Sequence, residues 1–144
     1  MSAHVLGRRT AKGVYEMKET LSRHEWVIME TLWQRAPLFL SDLMSAMETS
    51  VDWNRSSYLT YLKRMTDKGY IGYETVRGSR RYIPLIRRED CVAAESAAML
   101  EKMTGQSAKL FLVSMVQKSG LSESDRAELQ TLIARLGEEQ KEGK

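Results

Sequence analysis

Apolar positions first fall into a helical rhythm in "LSRHEWVIMETLWQRAP". Trp26, Met29 and Trp33 lie close to one face, and Val27, Ile28 and Leu32 widen it. Ser22 followed by Glu25 is a capping box, in which each side chain satisfies a free backbone N–H at the helix start. Pro37 ends the run, so the spacing predicts a helix over about 22–34. A short second helix is expected in "LSDLMSAMETS", with Ser41 as cap and Leu43, Met44 and Met47 as its apolar face. A third helix, "WNRSSYLTYLKRMTDKGYI", takes Asn54 as cap and Gly69 as its left-handed stop. The rhythm then changes to Tyr, Ile and Val around "RGSR". This predicts a β-hairpin turning at Gly78–Ser79, with Pro84 placing the return strand at an edge or ending it there. Three short helices followed by a basic hairpin form the plan of a winged helix-turn-helix.

The remainder reads as helix. "REDCVAAESAAMLEKMTG" is alanine-rich and is expected to stop at Gly105. "QSAKLFLVSMVQKSG" carries Leu110, Phe111, Leu112, Val113, Met115 and Val116 around most of its circumference, so it must be covered. Two flanking helices of one chain offer too little surface, and a second copy of the chain is expected to supply the rest. The last helix opens at "SESD" and sets Leu129, Leu132, Ile133 and Leu136 at i, i+3, i+4 and i+7. The expected fold class is mainly α with a small β-hairpin wing. Its domains are a flexible N-terminal arm over 1–20, a winged helix over 21–88, a helical dimerisation region over 89–138 and a disordered tail over 139–144.

Charge sharpens this division. Between Val51 and Arg88 nine Lys or Arg stand against three acids, a balance of +6 in a chain whose net charge is only +3. From Glu89 onward seven bases face ten acids. A basic middle before an acidic helical segment suits an anion-binding module followed by a separate element. At 100° per residue, Tyr58, Tyr61, Leu62 and Met65 share the buried face of the third helix. Ser56, Thr60 and Lys63 point the other way, Ser57 and Arg64 flank them, and Leu59 lies at the edge of the two faces. A polar helix face is ordinarily only wet. Here it follows helix-turn-helix spacing, opens with hydroxyls that allow close backbone approach, and precedes a hairpin bearing Arg77, Arg80 and Arg81. Ser56, Ser57, Leu59, Thr60 and Lys63 are therefore the expected base-reading residues. Asn54, Arg55, Arg64, Arg77, Arg80 and Arg81 are the expected phosphate contacts.

"EWVIMETLW", "SSYLTYLKRMTDKGYI" and "RRYIPLI" together resemble the penicillinase-repressor (BlaI/MecI/CopY) family from about Leu21 to Leu136. The family's first-helix pattern Glu-Trp-x-Val-Met-x-x-Leu-Trp falls on Glu25, Trp26, Ile28, Met29, Leu32 and Trp33. Its recognition-helix pattern Thr-Val-x-Thr-Leu-Leu-x-Arg-Leu-x-x-Lys-Gly falls on Ser57, Tyr58, Thr60, Tyr61, Leu62, Arg64, Met65, Lys68 and Gly69. The resemblance implies a transcriptional repressor that binds an inverted-repeat operator in double-stranded DNA. It also implies a homodimer built through the C-terminal helices, including Leu110, Phe111, Val113, Met115, Leu129, Leu132, Ile133 and Leu136. Ser57 and Tyr58 depart from the usual Thr and Val, and Leu59 stands where a basic residue often occurs, so a different operator preference is expected. The C-terminal cysteine cluster of the copper-sensing branch is missing. In the β-lactam branch a sensor protease cuts an Asn–Phe bond in the dimerisation helix. The aligned position here is Ser114–Met115, with other residue types at the bond.

Other classes fare worse. No phosphate-binding glycine loop, metal-ligand pair or HExxH-type motif is present, so no enzyme, cofactor or metal is expected. His4 lies in the arm, and His24 sits in the first turn of the first helix beside the capping Glu25. Cys91 is the only cysteine, which excludes an internal disulfide and suits a reducing cytoplasm. It reads as a small buried hydrophobe, with oxidant sensing as the alternative. No apolar run is long enough for a membrane span, and no secretory signal is expected. A winged helix serving as a protein-interaction module without DNA is the competing reading.

Overall fold

The computed structural model describes residues 7–9, 15–17 and 20–142. Two short strands, β1 (Gly7–Arg9) and β2 (Tyr15–Met17), pair antiparallel within the expected arm. The rest of the arm, His4 included, lies outside the described residues. The chain divides into two compact units, Met1–Met99 and Leu100–Lys144.

In the first unit, α1 (Arg23–Arg35) begins at the predicted capping box. Ser22 Oγ accepts from the Glu25 N–H at 3.3 Å, and Glu25 Oε1 accepts from the Ser22 N–H at 2.9 Å. Its fully buried line is Glu25, Ile28, Met29 and Leu32, whereas Trp26 and Trp33 are half-buried and meet edge-to-face at 5.6 Å. A two-residue strand, β3 (Leu38–Phe39), precedes α2 (Leu40–Met47). Ser41 is not the cap: it lies inside α2, and the cap position is held by Phe39, whose N–H donates to Asp42 at 3.4 Å. Helix α3 (Arg55–Lys68) starts at Asn54 and stops at Gly69, as its pattern predicts. Gly69 takes φ +85°, which only glycine adopts without steric cost, and its N–H closes on Met65 and Thr66 carbonyls.

Strands β4 (Ile71–Val76) and β5 (Ser79–Pro84) form the wing. The turn falls at Arg77–Gly78, one residue earlier than expected. Both residues are left-handed, with φ of +52° and +82°, the backbone that matches strand twist in a two-residue hairpin. β5 does end at Pro84, but it is the central strand, because β3 pairs along its other side. Ile28, Met29 and Leu32 of α1, Leu43 and Met47 of α2, and Tyr58, Leu62 and Met65 of α3 pack on Ile71 and Tyr82 of the sheet. The architecture is a winged helix, mainly α with a three-stranded antiparallel sheet.

This first unit runs on past the boundary expected at 88. α4 (Arg88–Glu101) buries Cys91 and Ala94, and Glu95 Oε1 accepts from the Leu21 N–H at 3.0 Å. α4 also ends before Gly105, which instead opens α5 (Gly105–Lys118) with φ +54°. α6 (Glu123–Glu142) follows, with Ser122 Oγ accepting from the Asp125 N–H at 3.1 Å. The tail expected from 139 is thus helical through Glu142. In the second unit Leu110, Val113, Met115, Leu129, Leu132, Ile133 and Leu136 are all exposed, with Ile133 at 67%. Phe111 and Ser114 are half-buried. None of the described helices is long and apolar enough to cross a membrane.

Candidate nucleic-acid interface

Asn54 sets the beginning of α3. Its Oδ1 accepts from the Ser57 N–H and from the Ser56 hydroxyl, both at 2.9 Å. Thr60 Oγ1 donates to the Ser56 carbonyl at 2.9 Å. The Ser56 and Thr60 protons are thus spent inside the helix, while their oxygens keep lone pairs. In that state both hydroxyls suit donors on base edges, such as the amino groups of adenine and cytosine, better than phosphate oxygens, which only accept. Lys63 reaches Asp67 at 3.3 Å, but the two side chains are 81% and 66% exposed. So exposed a pair contributes little and leaves the ammonium able to turn to a stronger anion.

Ser56, Thr60 and Lys63 are exposed along the outward side of α3, and Ser57 is half-buried on its flank. Leu59, 41% exposed, lies at the edge of that side. With Arg55 it borders a cleft of about 550 Å³ between α3, the start of α2 and the wing, where Arg77 and Arg80 stand opposite. Among the described residues no acid lines this cleft. Three guanidinium groups around an acid-free groove favour an anion, and a sugar-phosphate strand beside a groove-bound helix supplies one.

The wing arginines are not equivalent. Arg77 sits at the turn, and Arg80 stacks its guanidinium 4.2 Å from the Tyr73 ring centroid. Arg81 is half-buried and bonded to Glu74, its cross-strand partner, with Nε 2.7 Å from the carboxylate. Its charge is already neutralised, so Arg77 and Arg80 carry the wing's positive potential. Arg64 lies on the other flank of α3, its guanidinium 5.7 Å from the Tyr61 ring.

Two features escape a reading of periodicity alone. Lys68 does not face solvent: its ammonium lies 3.1 and 3.2 Å from the two carboxylate oxygens of Glu25, whose side chain is 1% exposed. This pair fastens the last turn of α3 to the first turn of α1. Tyr61 is half-buried, packing on the edge of the core, and its hydroxyl lies 2.6 Å from His24 Nδ1. Its place at the border of the helix's two faces was the available signal. Elsewhere in the unit, burial and then the charge of Glu48 raise the Tyr58 phenol. Burial, followed by Glu95 and Glu30, pushes the Cys91 thiol up to about 12. A thiol held in its protonated form is a poor oxidant sensor. Among the described residues no cluster of three or more metal-ligating side chains occurs.

Residues 21–135 match the family model described as penicillinase repressor. The chain belongs to the penicillinase repressor family. As a member it is a winged-helix transcriptional repressor. Methicillin resistance regulatory protein MecI of Staphylococcus aureus (strain N315) is 20% identical over 113 residues, spanning 78% of this chain and 92% of that protein. The "Uncharacterized 16.5 kDa protein in ptsI 3'region" of Latilactobacillus sakei is 21% identical over 118 residues, covering 82% of this chain and 81% of its own length. Among solved structures, the solution structure of the DNA-binding domain of the repressor BlaI aligns with a TM-score of 0.47 at 19% identity. It covers 52% of this chain and 92% of that one.

Proposed function

We propose that this penicillinase-repressor family member acts in the cytoplasm as a homodimer that binds an inverted-repeat operator, with α3 in the major groove. The observation that carries the proposal is the acid-free cleft in which Arg55 of α3 meets Arg77 and Arg80 of the wing, beside the exposed hydroxyl face of the same helix. Ser56, Ser57, Thr60 and Lys63 read base edges, and Leu59, at the mouth of the cleft, offers an apolar contact for a thymine methyl. Arg55, Arg64, Arg77 and Arg80 hold phosphates, with Asn54 fixing the start of the helix between them. Four such contacts predict that log K falls against log salt with a slope of about −3.5 per protomer.

Self-association uses the apolar residues left exposed on α5 and α6. A surface of this kind in an isolated chain marks a partner site, and Leu110, Phe111, Val113, Met115, Leu129, Leu132, Ile133 and Leu136 are its residues. Cutting near Ser114–Met115 would divide α5 and split that surface, which makes release by a sensor protease part of the same proposal.

Thr60→Glu is the test. The position is exposed and glutamate is a good helix former, so the fold is retained. A carboxylate there confronts the DNA. Binding to operator-containing promoter DNA, followed by gel shift, is expected to be lost while circular dichroism stays that of the parent. Undiminished affinity refutes the docking. Absence of salt-dependent binding to any duplex by the parent protein would instead favour an interaction module.

A further inference from the structure

The side of α3 turned away from the wing carries a polar cluster that packing alone does not require. At 100° per residue, Arg55 and Leu59 flank the outward face on the wing side, and Tyr61, Arg64 and Lys68 flank it on the other. Lys68 is drawn inward to Glu25, which leaves Tyr61 and Arg64 at the surface. Against them stands His24, exposed, from the first turn of α1. Its ring is edge-on to Trp53 at 5.2 Å and to Tyr61 at 5.4 Å, and its Nδ1 is 2.6 Å from the Tyr61 hydroxyl. Here the Tyr61 side chain meets the His24 imidazole at its hydroxyl and the Arg64 guanidinium, 5.7 Å away, at its ring.

The hydroxyl orients the imidazole in either charge state. When it donates to Nδ1, the neutral ring carries its proton on Nε2. When the ring is charged, Nδ1–H donates to the hydroxyl oxygen and Nε2–H remains. With the hydroxyl donating to the neutral ring, Nε2 is a donor in both states, and it bears added positive charge in the protonated one. Charged or titratable groups on the same elements are Arg23 and Glu25 beside His24 on α1, Arg64 and Lys68 beyond Tyr61 on α3, and Asp52 in the loop before Trp53. Glu25 is turned inward to Lys68.

We infer that His24, held by Tyr61, forms with Arg64 a second phosphodiester-binding site. It grips the DNA strand on the side of α3 opposite the wing. A helix lying in the major groove has a phosphate strand on each side, roughly 12 Å apart. The wing and Arg55 serve one, and the His24 cluster serves the other. The inference rests on the proposed docking of α3.

The test is fluorescence anisotropy of the full chain with a labelled random-sequence duplex, titrated with salt at about pH 6 and about pH 8. The parent protein is expected to bind several-fold more tightly at the lower pH, with a salt slope steeper by about 0.9, one further phosphate neutralised. His24→Gln removes both differences, and His24→Arg gives the low-pH behaviour at either pH. Tyr61→Phe keeps the ring for packing but lacks the hydroxyl, and it weakens the pH response. His4 is unchanged in every variant, so the comparison isolates His24. Salt-dependent binding with the same pH response in parent and His24→Gln overturns this site and leaves the docking standing. No salt-dependent binding at either pH overturns both.

Discussion

Lys68→Met strands a carboxylate in the core. In the parent protein Glu25 Oε1 and Oε2 lie 3.1 and 3.2 Å from the Lys68 ammonium, with the Glu25 side chain 1% exposed and that of Lys68 19% exposed. Methionine matches the aliphatic stem of lysine, so the change removes charge with little loss of volume. Breaking a buried pair by removing one partner costs about 3–5 kcal/mol. The Ser22 N–H still donates to Oε1 at 2.9 Å, and water reaches the partly exposed lysine site. The lower figure, about 3 kcal/mol, is therefore expected. That is a large share of a typical total of roughly 5–15 kcal/mol. The assay is urea unfolding of the full chain at fixed protein concentration, read as a lower midpoint with an unchanged m-value. The companion variant is Glu25→Gln combined with Lys68→Met. Glutamine can keep the reciprocal cap without charge, so the double variant should recover to within about 1 kcal/mol of the parent. A single variant within about 0.5 kcal/mol of the parent, or a double variant no more stable than the single, would refute the view that this pair fastens α3 to α1.

Arg77→Gly relieves a left-handed arginine, a conformation that costs non-glycine residues about 1 kcal/mol. It should raise the thermal midpoint while lowering DNA affinity and flattening the salt slope by about 0.9, and a variant that loses stability would refute the turn geometry. Cys91 should resist alkylation at neutral pH in the native chain and react after unfolding, as followed by mass spectrometry. Because its folded pKa is raised to about 12, the unfolded thiol ionises first as pH rises. Its contribution to stability is therefore full below the ordinary thiol range and is lost progressively as pH rises through the folded value, which urea midpoints measured across that window would detect. Truncation after Met99 should leave a monomeric winged helix by sedimentation velocity. Truncation after Arg88 should lower the urea midpoint further, because it removes the buried Cys91 and Ala94 and the Glu95 bond to the Leu21 N–H.

The helices of the first unit were legible wherever a local signal marked them. The Ser22–Glu25 box, the Asn54 cap and the Gly69 stop each involve residues a few positions apart, and the structure places all three as expected. The hairpin was legible too, but its turn was not, because "RGSR" admits two registers. The pairing of Glu74 with Arg81 and Val76 with Ser79 selects one of them. β3 had no signal of its own: two residues have no periodicity, and they become a strand only because β5 offers a free edge.

The candidate site divides in the same way. Helical spacing alone puts Ser56, Thr60 and Lys63 on one side of α3, because the rotation per residue is a local constant. What each of its neighbours does depends on which other element approaches it. Arg77 and Arg80 keep their charge facing outward, whereas Arg81, equally basic in the sequence, is cancelled by a strand partner seven residues away. Leu59, at the edge of that side of α3, also borders the wing cleft. From the edge of the core Tyr61 meets His24 across thirty-seven positions, and Lys68 crosses forty-three to reach Glu25. By itself, the sequence determined the ends of α1 and α3, the amphipathic faces and the overall plan, since these follow from interactions within a few residues. Which cations remain available and which polar groups converge was decided only by tertiary packing. Neutralisation and convergence are properties of pairs, and the chain brings those pairs together only when it folds.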